Sequence, residues 1–461
     1  MAFRIDLCGC SVLPAIFISH LATSMFFAAV PDFLMEKSCS WISPSEKTEI
    51  DSICNSTNLV IKATQMASGR NIVRSLLPSF CVPLFARWRD HTGNSKPLVV
   101  AGMVAETFGA VTYLISSMVW SLSPEVTGCL ESVVGGLFGE TICLLGVSCI
   151  IIDNSTPENR TMRLQTMLSI LFVANCLASV IYGFILSTTG YVPFYCVVIG
   201  LHIVGITLAV FMVEDKKKKP TKFKKNSLWQ NIKVVFRSRR NRAVLWFMMV
   251  SSALVESYTS AENSIIVYYL QQTFKVTIIE EGLIDAYYAF ILALGSLIFP
   301  YIFTRIFKWT DYKIGIVSAF FTTIFESARV FVQTRVELYL VVYLGLLKCV
   351  LLSIPQSIIS KSVKDHELGQ FLGMASIIQS IITGFIHKTY ADTFNLTYQL
   401  YPGTFFGISS FANLVIFILL SISSFLARPP DIDDDTDLKD VEGSPSSAKR
   451  INVWVIHKNH T

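Results

Sequence analysis

Arg70 and Arg74 stand four residues apart in a largely apolar stretch, a spacing that brings both guanidinium groups to one face of a helix. Two such groups can grip a carboxylate bidentately, so the pair reads as an anion-binding element, with Arg74 the deeper member. The alternative is a pair at a membrane boundary whose side chains reach back to water. Glu106 and Glu140 lie well inside apolar runs. Removal from water favours the protonated form of a carboxyl, as a group that exchanges protons near neutral pH requires, and burial beside an Arg or Lys is the competing reading. Glu131, nearer the end of its run, reads as solvated. Glu256 and Glu262 fall in the polar stretch Ser251–Asn263, so their helix must face something wet. Asp285 opens the next apolar run, Glu326 and Arg329 have the i,i+3 spacing of a self-contained pair, and Lys348 is embedded in a further run. Glu256 and Lys348 are expected to face a cavity. His20 and His202 read as hydrogen-bonded core residues, with titration as the alternative.

The elements that position these groups follow from composition. Of 461 residues, 52% are hydrophobic and 15% charged, against about 25% charged in an ordinary soluble domain. Apolar stretches recur along nearly the whole chain, and about 20 helical residues cross a hydrocarbon core of about 30 Å. Since lipid cannot satisfy backbone polar groups, these stretches must be helices. The first 35 residues lack the layout of a removed signal peptide and read as a first span.

Spans are expected near 10–33, 67–86, 97–120, 128–152, 164–187 and 192–213, then 243–270, 283–307, 313–333, 337–360, 369–391 and 404–427. The chain accordingly divides into an N-terminal six-helix bundle (1–213), a basic linker (214–242), a second bundle (243–427) and an acidic, disordered tail (428–461). The alternate loops that carry Arg87, Arg89 and Lys96, the linker, Arg305 to Lys313, and Lys361 with Lys364 hold most of the cations. The positive-inside rule then makes those loops and both termini cytoplasmic. Asn55 and Asn395, each in an Asn-x-Thr/Ser sequon, fall outside and are expected to be glycosylated. Cys39 and Cys54 lie on that same face and are candidates for a disulfide, while seven further cysteines in apolar runs read as packing residues.

Two loops add specificity. Between spans 2 and 3 the chain reads Ala86-Arg-Trp-Arg-Asp90-His-Thr-Gly93, and after span 4 it reads Asp153-Asn-Ser-Thr-Pro-Glu-Asn-Arg-Thr-Met-Arg163. An Asp-x-x-Gly turn followed by cations, set between two spans of a six-plus-six chain, resembles the major facilitator superfamily. Within it, these loops and Pro355 to Gly369 resemble the proton-coupled folate transporter family, solute carrier family 46, over about 400 residues. The resemblance implies an all-α fold of two pseudo-symmetric six-helix bundles. It also implies a cytoplasmic gate built on Asp90, Gly93, Asp153 and Arg163, and proton-driven movement of organic anions such as folates, with lysosomal export or peptidoglycan fragments in other members. Leu168 and Gln356 stand where the resemblance would place a coupling glutamate and an arginine, and residues 271–282 lack the cysteine that would pair with Cys39, leaving Cys54.

These readings converge on a monomeric secondary carrier in the plasma or lysosomal membrane, with a small organic solute, protons and lipid as partners and nucleic acid excluded. No Gly-x-x-x-x-Gly-Lys-Ser/Thr loop supports a nucleotide-driven pump. No cluster of residues supports an enzyme, a metal or a cofactor. Muropeptides or other amphipathic solutes are the alternative cargo, and a transporter-like receptor or scaffold is the rival from another class.

Overall fold

The computed structural model describes residues 12–42, 57–156, 160–213, 241–363 and 368–427. The Cys39 side chain, Cys54, Asn55, the Asp90 side chain, the basic linker and the acidic tail therefore lie outside the described residues. Twelve helical spans account for nearly all of the rest, with no strand among the described residues. Span 1 is Val12–Ile42, span 3 Lys96–Met118, span 5 Arg160–Thr189 and span 6 Tyr191–Met212. Span 2 is broken into Thr57–Leu76 and Pro78–Thr92, and span 4 into Pro124–Phe138 and Glu140–Asp153. Span 7 is Arg242–Phe274, span 9 Asp311–Val330, span 11 Leu368–Thr397 and span 12 Phe406–Leu426. Span 8, Ile278–Tyr301, runs on into a π turn, Ile302–Ile306, just after Pro300, which has no backbone N–H to give to the helix. Span 10 comprises Arg335–Val341, a 3₁₀ segment Val342–Leu347 and Lys348–Ser362.

Nine of these, among the described residues, are long and apolar enough to cross a bilayer on composition alone. Spans 2, 7 and 9 are not in that set. They carry Arg70 and Arg74, Glu256 and Glu262, and Glu326 and Arg329, so the chemistry itself lowers their hydropathy. Helices also outrun the apolar stretches. Span 2 begins at Thr57, ten residues before the expected start, because intrahelical hydrogen bonds persist where the side chains turn polar.

Span 2 packs on span 11 and span 5 on span 8, an exchange expected when two six-helix halves are related by a two-fold axis. Within the halves, span 1 packs on 5 and 6, span 3 on 4 and 6, span 7 on 11 and 12, and span 9 on 10 and 12. An even number of crossings brings the start of span 1 and the end of span 12 to one side, called here the termini side. There, Arg160 Nη1 donates to the Ser360 carbonyl at 2.7 Å and Gln165 Nε2 to the Val350 carbonyl at 3.0 Å, joining spans 5 and 10. On the far side the backbones of Gly183 and Gly282 approach spans 8 and 5 closely enough that a Cβ on Gly282 would sit 2.3 Å from the Ser179 oxygen. The halves thus touch at both ends.

On the termini side the loop after span 2 turns at Gly93, whose φ of 66° is left-handed and whose N–H donates to the Arg89 carbonyl at 2.7 Å. Arg89 pairs with Asp153 at the end of span 4, and Arg163 donates to the Asn154 carbonyl. The second half repeats the device with the charges exchanged: Asp311, after the turn at Lys308 (φ 50°), receives Lys361 Nζ at 2.7 Å and Ser357 at 3.0 Å. A Cβ in the left-handed region costs about 1–2 kcal/mol. Gly93→Ala is therefore expected to lower thermal stability in detergent by about that amount, with Gly93→Asn closer to wild type; equal melting temperatures for all three would show that this turn tolerates a side chain.

Candidate solute-binding site

The buried charges assemble into two balanced groups, one in each half. In the first, Arg70 Nε lies 2.6 Å from Glu131, and Arg74 holds Glu131 with one nitrogen and Glu106 with another at 2.5 Å. Two cations meet two carboxylates. Glu131 is wholly buried, so the expectation of a solvated residue fails. Arg70 is 8% exposed and turned inward to Glu131, rather than reaching back to water as a boundary side chain would. Span 4 is shaped to admit these groups. A Cβ on Gly135 would fall 1.9 Å from Arg74 Nη1. At the break beyond it, Glu106 Oε1 accepts the Glu140 backbone N–H at 2.7 Å and caps the restarted helix. Phe27 lies under the Arg74 guanidinium at 4.6 Å.

In the second group Lys348 Nζ lies 2.7 Å from both Glu262 and Glu326, and Arg329 Nη1 lies 3.1 Å from Glu262 and 3.0 Å from Glu326. Glu326 and Arg329 therefore form one edge of a four-residue network rather than a pair on their own. Ser409 also donates to Glu262, and Phe406 stacks on the Arg329 guanidinium at 3.7 Å.

The remaining carboxylates are placed differently. Glu140 is 36% exposed at its side chain, with His20 Nδ1 at 3.7 Å, and it lies within electrostatic range of Glu256 across the halves. Glu140 and His20, with Ser19, Thr23 and Glu106, line a small cavity, and Glu256, expected to face a cavity, lines neither this one nor the one between the halves. Glu256 is half-buried. A second cavity lies between the halves, lined by Phe172 and Asn175 of span 5, Thr259 and Asn263 of span 7, Asp285 and Tyr288 of span 8, and Lys348 of span 10. The Thr259 and Tyr288 hydroxyls are buried without a hydrogen-bond partner. Ser179 donates to Asp285.

Four features were not anticipated in the sequence. His387 is buried between Ser260 and Ser264, each 3.2 Å from a ring nitrogen. Lys37 is wholly buried and donates to the Ser116 carbonyl at 2.8 Å. His202 is buried with neither ring nitrogen hydrogen-bonded, contrary to the expected bonded core residue. Asn395 lies in the helix of span 11, not in a loop, and its Oδ1 accepts from Thr64 at 3.0 Å.

A twelve-span bundle whose halves enclose a cavity lined by both charged and apolar side chains has the architecture of a membrane transporter. The family model of the Major Facilitator Superfamily matches residues 12–387, and the chain belongs to that superfamily. It is thus a multi-pass membrane transporter and not an enzyme. It is 21% identical over 358 residues to the lysosomal proton-coupled steroid conjugate and bile acid symporter of Bos taurus, covering 75% of this chain and 76% of that one. The Mus musculus symporter of the same name is 21% identical over 347 residues, covering 72% and 74%. In fold the chain is similar to the human organic anion transporter TETRAN, with a TM-score of 0.64 and 12% identity over 91% of this chain and 100% of that one. It is similar also to a bacterial homologue of the iron transporter ferroportin in an outward-facing state, with a TM-score of 0.61 and 15% identity over 92% and 100%.

Removing one member of a sealed ion network leaves its partners uncompensated, at a cost of about 3–5 kcal/mol. Glu131→Gln is expected to lose that much stability in detergent, whereas the joint change Arg70→Met with Glu131→Gln recovers part of it. A Glu131→Gln protein as stable as wild type would remove this network from the account.

Proposed function

We propose that the chain carries an amphipathic organic anion together with protons, by alternating access around the cavity between spans 5, 7, 8 and 10. One observation supports this most directly. The wall of that cavity holds Lys348 and Asp285 together, beside unpartnered hydroxyls of Thr259 and Tyr288 and the amides of Asn175 and Asn263. Lys348 and the polar groups suit an anionic headgroup, and Phe172, Tyr288 and Leu292 suit an apolar body. An ionised Asp285 would repel that anion at close range in a medium of low dielectric. Occupancy by the anion therefore favours a protonated Asp285, which ties a proton to the solute. The bile acids and steroid conjugates named for the relatives are anions of this amphipathic kind, and folates are the larger, more polar alternative that the loop motifs suggested.

Arg74, expected to bind the anion, is engaged by Glu106 and Glu131 and lines neither cavity, so on this reading it holds span 4 in place; Lys348, though paired with Glu262 and Glu326, also forms part of the cavity wall and takes the direct role. The division into two bundles joined by a basic linker, with the termini side cytoplasmic, is retained as part of the proposal on the strength of the cation-rich loops. The Arg89–Asp153 and Lys361–Asp311 pairs and the Arg160 bond to span 10 then form the cytoplasmic gate, and an acidic compartment on the far side, lysosomal lumen or cell exterior, drives solute toward the cytoplasm.

The test is uptake of labelled taurocholate and of labelled folate into proteoliposomes, with the far side at pH 5.5 or 7.5. Wild-type uptake of taurocholate is expected to rise at least fivefold in acid and to exceed that of folate. Asp285→Asn is expected to retain exchange while losing the acid stimulation. Acid-stimulated uptake that survives in Asp285→Asn would refute the role given to this carboxyl, and uptake that is flat with pH in wild type would refute proton coupling.

A further inference from the structure

One turn of span 8 beyond Asp285, toward the far side, two more carboxylates meet across the halves. Gln271 Nε2 of span 7 donates to Asp32 Oδ1 of span 1 at 2.9 Å and to Glu281 Oε2 of span 8 at 3.0 Å. Both carboxylates thus share one amide nitrogen, and by those two distances the accepting oxygens cannot be more than about 6 Å apart. Tyr182 of span 5 donates to Glu281 Oε1 at 3.0 Å. Asp32 is 5% and Glu281 4% exposed, and Asp32 Oδ2 is buried with no partner.

No cation pairs with either carboxylate among the described residues, in contrast to the two quartets, where every carboxylate meets a cation. The groups facing the pair are Glu36 on span 1, Tyr182 on span 5, Tyr191 and Tyr195 on span 6, Tyr268 on span 7, and Asp285 on span 8. All are acidic or phenolic. The cation within electrostatic reach of Tyr268 and Tyr195 is Arg70, already bound to Glu131 at 2.6 Å. Lys37, five residues beyond Asp32 in span 1, donates to the Ser116 carbonyl of span 3.

Two buried carboxylates held by one amide cannot both stay ionised without a cation, and a shared proton is the simplest way to close the balance. The contact draws on both halves: Asp32 and Tyr182 belong to the first, Gln271 and Glu281 to the second. It lies where spans 5 and 8 approach closely, through Gly183 and Gly282.

We propose that Asp32 and Glu281, bridged by Gln271, form a proton-operated latch on the far side of the transporter, closed when the pair holds a proton and sprung open by like-charge repulsion when it does not. This rests on the proton-coupled reading above and deepens it: the site that receives the proton from the far side is this pair, and Asp285, one turn deeper on the same face of span 8, lies next in line toward the cavity.

Nitroxide labels on Thr189→Cys and Gln333→Cys, exposed far-side positions in opposite halves, report the gap in nanodiscs without any solute, with the exposed native cysteines replaced. The ratio of closed to open distances is expected to rise at least tenfold from pH 7.5 to 5.5. The paired change Asp32→Asn with Glu281→Gln is expected to stay closed at both values, and Gln271→Leu to open at both. If the paired variant folds poorly, either single change is expected to cut the pH response at least tenfold. Asp285→Asn is expected to keep the pH-dependent gap while losing acid-stimulated uptake, which separates the latch from the coupling role of the cavity. A gap that ignores pH in the wild type, or a paired variant that follows pH as the wild type does, would overturn the latch.

Discussion

Charge taken out of water must be matched, and that constraint organises this protein. An isolated ion in a low-dielectric interior carries a penalty of several kcal/mol even after relaxation. Eight of the membrane-embedded charges meet the constraint by pairing, in two neutral quartets: Arg70, Arg74, Glu106 and Glu131 in one half, and Glu262, Glu326, Arg329 and Lys348 in the other. Each quartet draws on three spans of a single half, so each fastens its half into a body that can move as a unit. The glycine-lined face of span 4, the Glu106 cap on the restarted helix and the aromatic rings over Arg74 and Arg329 are what such fastening needs.

What is left over is where function concentrates. Asp32, Glu281, Asp285, Glu140 and Glu256 are carboxylates in spans that no cation other than His20 approaches at ion-pair distance among the described residues. Asp32, Glu281 and Asp285 lie at the seam between the halves, on a line from the far side to the central cavity. Their charge can be matched only by something that comes and goes. Two sets of acidic groups, one rigidly paired within the halves and one unpaired between them, are what a carrier built on rocking halves would require.

The fold was legible because apolar length and loop charge report directly on spans, and Gly93 was legible as the glycine of an Asp-x-x-Gly turn set between two spans. The ion quartets were legible only in part. Glu326 with Arg329 is a local spacing, but Lys348 with Glu262 joins residues 86 apart in the chain, and no local pattern encodes that meeting. Glu131 was misjudged because distance from the end of an apolar run is a poor guide to depth once a helix is broken, as span 4 is at Gly139. Asp32 and Glu281 escaped notice because each stands near the polar end of its span, where a carboxylate is unremarkable alone. Their significance comes from Gln271, a neutral residue on a third helix.

The central claim is that anion and proton travel together. The most direct measurement is the internal pH of proteoliposomes containing a trapped pH-sensitive dye, followed as taurocholate is added outside with no initial pH gradient. The account requires the lumen to acidify as taurocholate enters, in step with its concentration, and to stay unchanged in Asp285→Asn vesicles. Entry of the anion into wild-type vesicles with no change in internal pH would contradict it.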